Sequence, residues 1–290
     1  MFDAIHLKRA EKEREEFIRN CIAFDTPRLE NEVFPAECKV ESDIAYQPKE
    51  DSLKLDIYTP SVCNNDKECF ILIHGGAFVY GSKILDKNFG MHLAIKAGIP
   101  VVNVDYTLMP ESDMAQVMNE IFTAINFVCK EYGFEKLHTV GDSAGGYLAY
   151  VVAMASRNSD VREGFGVTVE PLAAAESANL ICPGIINSRK AFPGIYYEKK
   201  TGVKLADFAF DLRELAKLNE DLRVSVITGE EDFLRAQDIE FQAVVKDVVF
   251  YDAVNEGEYK MFHVFPIAHP EWPQSVKAIG LIADNAVGKK

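Results

Sequence analysis

The chain has 290 residues, of which 48% are hydrophobic and 26% charged, a composition typical of a globular protein with a sizeable core. Its formal net charge of −14 makes a nucleic-acid backbone an unfavourable partner. The first residues are heavily charged where a signal peptide would be apolar, and no run approaches the roughly 20 apolar residues that span a bilayer. We therefore expect no nucleic-acid partner and no insertion into a membrane.

Six cysteines are scattered along the chain, without a Cys-x-x-Cys pair and without the ligand spacing of a zinc site. In a chain with no export signal, such cysteines are usually reduced, and most of them are small core residues. The cysteine pattern therefore predicts free thiols and a cytoplasmic location.

The predicted elements alternate between strands and helices. Segments 38–47 and 53–58 predict two strands that begin the sheet as an antiparallel pair. Five later runs are short and largely apolar, without a polar–apolar alternation, as is typical of parallel strands covered on both faces: Phe70–Ile73, Val101–Val104, Leu137–Val140, Leu180–Ile181 and Val224–Ile227. Apolar residues at three- and four-residue steps predict helices within 112–131 and 205–218. This alternation predicts a mostly parallel, doubly wound sheet with helices on both faces.

Two segments fit the alternation poorly. Residues 1–35 predict a charged helix followed by an irregular stretch, and residues 183–220 form a long insertion between strands. Ligands of parallel α/β sheets bind at the carboxyl ends of the strands. We therefore expect both segments to form a cap over that edge, with 36–182 and 221–290 as the core.

The sequence GDSAG at 141–145 matches the pattern Gly-x-Ser-x-Gly, with an apolar strand before it and a helical pattern after it. This strand–turn–helix setting is that of a nucleophile elbow, in which Ser143 stands at the tip of a tight turn. Gly141 and Gly145 would leave the space that side chains there would fill. The alternative is a serine that caps a helix within a glycine-rich turn.

A second glycine-containing loop, HGGAF at 74–78, follows the strand Phe70–Ile73. Its glycines allow backbone N–H groups to face a substrate oxygen, so the loop predicts an oxyanion hole that the N–H of Ala144 completes. We expect His74 to orient this loop rather than to act as a base. The alternative is an ordinary turn after a strand.

A serine hydroxyl needs a base, and that base needs an orienting acid; in this type of fold they follow the serine as acid and then histidine. Two histidines follow Ser143, and we favour His263 over His269, which precedes a proline at the start of the last helix. The predicted strand 224–229 is followed by acidic residues, of which Asp232 is favoured and Glu231 is the alternative.

The chain resembles the hormone-sensitive-lipase-like family of α/β-hydrolase carboxylesterases. Five of its segments, in the same order as in that family, are similar to the family's motifs: HGGAFVYGS (74–82), DYTLMPE (105–111), GDSAGG (141–146), DFL (232–234) and HVF (263–265). The resemblance implies the α/β-hydrolase fold, with an eight-stranded, mostly parallel sheet, helices on both faces and a helical cap. Two positions depart from the family pattern: Ala77 replaces a third glycine, and Thr107 replaces an arginine that is expected to brace the neighbouring loop.

Carried onto the matching positions, the resemblance implies Ser143 as nucleophile, Asp232 as acid and His263 as base. It also implies that Gly75, Gly76 and Ala144 donate the oxyanion N–H groups. The expected activity is the hydrolysis of small esters with short to medium acyl chains through an acyl-enzyme, without a metal or organic cofactor. The expected partner is the ester itself, and a homodimer is the assembly to be tested.

Two alternatives to this activity are a non-catalytic receptor that binds a ligand in the same pocket, and a hydrolase of amides or peptides with the same triad.

A further hypothesis concerns the charge of the substrate. Five basic residues and one acid give the stretch 183–204 a local charge of +4, with aromatic residues between them: Arg189, Lys190, Lys199, Lys200 and Lys204, Glu198, and Phe192, Tyr196 and Tyr197. Such a stretch could attract an anionic or aromatic ester, whereas the alternative is a solvated surface.

Overall fold

The computed structural model describes residues 2–47, 53–187, 200–219 and 221–289. Eight strands lie within these residues: β1 Cys38–Ala45, β2 Lys54–Pro60, β3 Glu68–Ile73, β4 Val101–Val104, β5 Lys136–Asp142, β6 Ala175–Ile181, β7 Arg223–Gly229 and β8 Val249–Ala253. The helices of the same residues are α1 Phe2–Asn31, α2 Lys87–Ala97, α3 Met114–Tyr132, α4 Ala144–Arg157, α5 Ser159–Gly164, α6 Leu212–Ala216, α7 Arg235–Gln242, α8 Phe265–Ala268 and α9 Pro273–Ala286.

The strands form one sheet in the order β1-β2-β4-β3-β5-β6-β7-β8. Strand β2 is antiparallel to both of its neighbours, β1 and β4. All the other neighbouring strands in this order pair in parallel. This is the predicted mostly parallel sheet of eight strands. It places the ends of β3, β5, β7 and β8 along one edge, where the loops that carry the predicted site residues begin.

Two apolar layers cover the sheet because successive side chains of each strand point to opposite faces. In β3, Ile71 and Ile73 pack into a layer with residues of α3 and α4. Phe70 and Leu72 of the same strand pack into the other layer, with residues of α2 and α9. Burial on both faces explains why this strand is apolar from Cys69 to Ile73.

Two predicted elements differ from the observed ones. The predicted helix within 205–218 is wrong as a continuous element, because a 3-10 turn at Asp207–Phe210 and helix α6 are separated by Asp211, whose backbone is extended. The Asp211 carboxylate accepts the backbone N–H of Arg213 and so begins a new helix there. Strand β8 was not among the apolar runs, since most of its residues are only half-buried at the edge of the sheet.

The two segments predicted to form the cap lie at separate places in the chain. Helix α1 precedes β1, and the insertion lies between β6 and β7. Most of its basic stretch, including Arg189, Lys190 and Lys199, lies outside the described residues. No helix in the described parts of the chain is both long enough and apolar enough to cross a bilayer.

Candidate active site

The turn between β5 and α4 holds Ser143 with φ 51° and ψ −116°, a left-handed conformation that is unfavourable for a residue with a side chain. The two flanking glycines are required by space. A Cβ on Gly141 would lie 2.4 Å from the carbonyl oxygen of Gly145, and a Cβ on Gly145 would lie 1.9 Å from that of Ile73. The turn can therefore form only with glycine at both positions.

Two backbone hydrogen bonds fix this serine to the neighbouring strand and its loop. The N–H of Ser143 donates to the carbonyl oxygen of Ile181 at 2.8 Å, and its own carbonyl oxygen accepts the N–H of Gly184 at 3.0 Å. The strained residue is thus held from both sides, and its hydroxyl faces the loops that follow β7 and β8.

The structure brings together the three side chains predicted to form a triad. The Nε2 atom of His263 lies 3.0 Å from the Oγ atom of Ser143. The Nδ1 atom of the same ring lies 2.9 Å from Oδ1 of Asp232. The three residues follow β5, β7 and β8. The carboxyl ends of these parallel strands lie at the same edge of the sheet, and this brings the three side chains into contact. The order serine–imidazole–carboxylate is the arrangement in which a base can remove the hydroxyl proton and an acid can orient that base.

Asp232 is 6% exposed, and its carboxylate has hydrogen-bond partners in addition to the imidazole of His263. Its Oδ1 accepts the N–H of Leu234 at 2.9 Å, and its Oδ2 lies 3.3 Å from the hydroxyl of Thr228. Burial alone would raise the pKa of Asp232, but hydrogen bonds from His263 and from the thiol of Cys182 hold that pKa below its ordinary value. The acid therefore remains ionised at neutral pH and can stabilise a protonated imidazole.

The two alternative residues lie in other contacts. His269 stacks on Trp272, with ring centroids 4.0 Å apart, and its Nδ1 lies 3.4 Å from the carboxylate of Glu271. The exposed Glu231 accepts a hydrogen bond from the amide of Asn255 at 2.9 Å. Neither side chain is hydrogen-bonded to the imidazole of His263 in the described part of the chain.

The predicted oxyanion donors differ in their availability. The N–H of Gly75 donates to Oδ1 of Asp142 at 2.8 Å in a buried contact. Its use as an oxyanion donor therefore disagrees with the geometry. Within the described residues no hydrogen bond engages the N–H of Gly76 or of Ala144, and both residues line the cavity beside Ser143. These two N–H groups remain the predicted donors.

The neighbouring positions show how the loop after β3 is supported. His74 is buried, stacks on Tyr106 with ring centroids 4.3 Å apart, and its Nδ1 lies 2.8 Å from the carbonyl oxygen of Gly75. Burial lowers the pKa of His74 to about 4, so its ring is neutral.

Ala77 has φ 53°, the conformation that the family's glycine would adopt without strain. Thr107, in place of the arginine, donates from its N–H and hydroxyl to the carboxylate of Glu120.

A cavity of about 710 Å³ opens in front of Ser143. Helix α1 supplies part of its wall, including Phe17, Cys21 and Phe24. On the other side lie Ile186 from the insertion and Phe233, whose ring centroid is 4.3 Å from that of His263. The walls are mainly apolar, so the cavity suits an uncharged organic group. Sequence patterns gave no signal for the cavity-lining residues of α1.

One group of potential metal ligands occurs at this site. Ligand atoms of Cys182, Asp232 and His263 all lie within 4.8 Å of one another. Two of these residues are already joined by the hydrogen bond described above, and burial raises the pKa of the Cys182 thiol. The thiol therefore stays protonated and acts as a donor to Asp232 rather than as a metal ligand. Its position next to the acid was not predicted, since Cys182 is separated from Asp232 by fifty residues.

Comparisons with known proteins agree with this geometry. Residues 70–266 match the family described as alpha/beta hydrolase fold. Hormone-sensitive lipase from Homo sapiens is 27% identical over 135 residues, which are 45% of this chain and 12% of that protein. Kynurenine formamidase from Danio rerio is 32% identical over 111 residues, which are 38% of this chain and 37% of that protein. The chain thus spans only a fraction of the length of these relatives.

Among solved structures, esterase B from Lactobacillus rhamnosis with a tributyrin phosphonate inhibitor superposes with a TM-score of 0.82. The alignment covers 98% of this chain and 99% of that one at 23% identity. A likeness at this identity concerns the fold. Together these matches confirm the predicted fold and the resemblance to the hormone-sensitive-lipase-like group.

Proposed function

Because the chain belongs to the α/β-hydrolase family, we propose that it is a serine hydrolase that cleaves carboxylic esters through an acyl-enzyme. The observation that carries this proposal is the hydrogen-bonded triad, in which Nε2 of His263 lies 3.0 Å from Oγ of Ser143 and Nδ1 lies 2.9 Å from Oδ1 of Asp232. A receptor would have no need of a hydroxyl, a base and an acid at hydrogen-bond distance.

In the proposed mechanism, Nε2 of His263 takes the proton from Oγ of Ser143 as that oxygen attacks the ester carbonyl carbon. The negative charge that forms on the carbonyl oxygen is stabilised by the N–H groups of Gly76 and Ala144. Loss of one such donor costs about 10²–10³ in kcat in serine hydrolases. His263 then gives its proton to the leaving alcohol, and a water molecule activated by the same ring releases the acid.

The cavity also bears on the class of ester. Four of its described residues carry carboxyl groups and one carries a guanidinium group: Asp25, Asp86, Asp142 and Glu231, and Arg28. Lys200 and Lys204 do not line it, and the other basic residues proposed to attract anions lie outside the described residues. We therefore propose a neutral ester as substrate, because a carboxylate would meet like charge. A neutral butyrate ester should accordingly react faster than the hemisuccinate ester of the same alcohol, and an equal or reversed preference would favour the anionic hypothesis.

We further propose that α1 and the insertion form the cap of this cavity and that acyl chains of short to medium length fit beneath it. The size of the cavity and its apolar walls support a group longer than acetyl. The deciding experiment is the hydrolysis of p-nitrophenyl esters from acetate to dodecanoate by the wild type and by Ser143→Ala. Turnover by the variant at the wild-type rate would exclude the mechanism, and no turnover by the wild type would favour the receptor.

The similarity to a formamidase supports amide hydrolysis as a second candidate activity. The same triad can attack an amide, because both reactions pass through an acyl-enzyme. Comparison of p-nitroanilides with p-nitrophenyl esters of one acyl group separates the two activities. We expect the ester to be cleaved faster, and a faster amide reaction would reverse the assignment.

A further inference from the structure

Two buried carboxyl groups lie side by side behind the site, and the triad does not use either of them. Asp142 is the residue before Ser143 and is 5% exposed, and Asp86 precedes α2 and is 1% exposed. Both line the cavity wall next to Gly75 and Gly76. Two ionised carboxylates in contact would repel each other strongly at such burial, so their arrangement needs an explanation.

The contacts of the two groups are unequal. Oδ1 of Asp142 accepts the N–H of Gly75 at 2.8 Å, whereas Asp86 makes no side-chain hydrogen bond to the helix that it precedes. The two side chains are hydrogen-bonded to each other. Oδ2 of Asp86 has no hydrogen-bond partner in the described residues. A hydrogen bond between two carboxyl groups requires that one of them carries a proton, and the partners identify Asp86 as that one.

The electrostatic surroundings favour a shared proton. Burial raises the pKa of Asp86 well above its ordinary value, and the charge of Asp142 adds to that shift. Burial also raises the pKa of Asp142 to about 6, although His263 and the Gly75 N–H oppose that rise. The other charged or titratable groups that act on the pair are Arg28 and Asp25 of α1, Tyr58 of β2 and Tyr106 after β4. Of these only Arg28 is a cation, so the pair retains a strong preference for one proton.

We propose that Asp86 and Asp142 share one proton and that this protonated pair positions the loop 74–78 against the turn of Ser143. The hydroxyl of Asp86 donates to Asp142, and the carboxylate of Asp142 in turn binds the N–H of Gly75. This contact sets the direction of the next N–H, that of Gly76, toward the carbonyl oxygen of the substrate. Asp86 and Asp142 are thus positioning residues, and their catalytic consequence rests on the proposed function.

Loss of the proton would leave two carboxylates in contact, and their repulsion would move the loop away from Ser143. Wild-type kcat should therefore decline at alkaline pH, with KM little changed. Asp86→Asn keeps a donor toward Asp142 at every pH, and we expect its kcat to decline at a higher pH than that of the wild type. Asp86→Ala removes the donor and should lose about tenfold or more in kcat at neutral pH, up to the 10²–10³ expected for a lost oxyanion donor.

Asp105→Asn is the matched control, because burial raises the pKa of Asp105 to about 6 and its side chain does not line the cavity. We expect this variant to keep the wild-type alkaline decline. An equal loss of kcat in Asp86→Asn and Asp86→Ala, or an unshifted alkaline decline in Asp86→Asn, would overturn the proposal.

A measurement without substrate separates this proposal from the proposed function. The folded chain keeps a proton on the pair that the unfolded chain has lost above about pH 4. The stability due to that proton is present at low pH and declines as the pH rises, so the wild-type Tm should fall more steeply between pH 5 and pH 8 than that of Asp86→Asn. Parallel profiles would refute the shared proton even in an active enzyme. A steeper wild-type profile in a protein without turnover would refute only the proposed hydrolysis.

Discussion

Replacing Asp232 by asparagine removes the charge of the acid and leaves its shape. The outcome depends on which amide group faces His263, and the structure determines this. The N–H of Leu234 donates to Oδ1 at 2.9 Å, as does Nδ1–H of His263. Because a backbone N–H can only donate, the amide oxygen must take the Oδ1 position. The amide NH₂ then faces the hydroxyl of Thr228, which can accept.

The histidine therefore keeps its tautomer in Asp232→Asn and loses only the stabilising charge. Two unit charges about 4 Å apart at an effective dielectric constant of about 20 interact by about 4 kcal/mol. The amide dipole retains part of this, so we expect kcat/KM to fall about 10²–10³-fold, at about 1.4 kcal/mol per factor of ten. Asp232→Ala also leaves Nδ1–H without a partner and the ring without an anchor, and a loss of about 10⁴ is expected.

The assay is kcat/KM for p-nitrophenyl butyrate with the wild type and both variants, with circular dichroism to confirm folding. Glu231→Gln changes the alternative acid, which is exposed, and should stay within about threefold of the wild type. Equal losses in Asp232→Asn and Asp232→Ala would refute the reasoning about the amide orientation. A large loss in Glu231→Gln alone would make Glu231 the acid.

Three further predictions concern packing, pH and the cavity. Gly145→Ala should abolish activity and folded yield because its Cβ would lie 1.9 Å from a carbonyl oxygen. The control Gly280→Ala, whose Cβ would lie 3.5 Å from the nearest atom, should stabilise helix α9 by about 0.5–1 kcal/mol in urea unfolding. A folded and active Gly145→Ala protein would contradict this prediction. The unfolded chain binds a proton at His74 between about pH 6.5 and pH 4 that the folded chain excludes, so stability should fall by ~3 kcal/mol as the pH drops through that window, and less in His74→Phe. An equal fall in both proteins would exclude His74 as the cause. Cys21→Phe places a larger side chain in the cavity wall and should lower kcat/KM for p-nitrophenyl octanoate more than for p-nitrophenyl acetate. An unchanged ratio of the two kcat/KM values would show that acyl chains bind elsewhere.

The sequence predicted those parts of the fold that depend on local packing. Strand β3 was apparent because burial on both faces requires an apolar residue at every position. The turn at Ser143 was apparent because its two glycines, the strand before it and the helix after it all lie within one short segment of the chain. Strand β8 was not found, since an edge strand that is half-buried needs no continuous apolar run.

The parts that sequence reasoning missed depend on contacts between distant residues. Whether Gly75 donates to a substrate oxygen or to Asp142 is decided across 67 residues by the way β3 and β5 pair. Asp86 and Cys182 likewise reach the site only through the fold. Their residue types carry no signal of this, because an isolated aspartate or cysteine is more often a surface or core residue. The triad was accessible to sequence reasoning because its chain order is shared by a family, whereas its supporting contacts were not.

The support of Ser143 follows from the cost of its conformation. A left-handed backbone at a residue with a side chain costs about 1–3 kcal/mol, and it persists only where the surroundings determine it. Here the hydrogen bonds to Ile181 and Gly184 fix the serine from the side of β6. On the side of β3, Asp142 joins the turn to the N–H of Gly75. The nucleophile and the loop that would bind the oxyanion therefore cannot move independently, and a change in the charge of Asp142 would reach both of them.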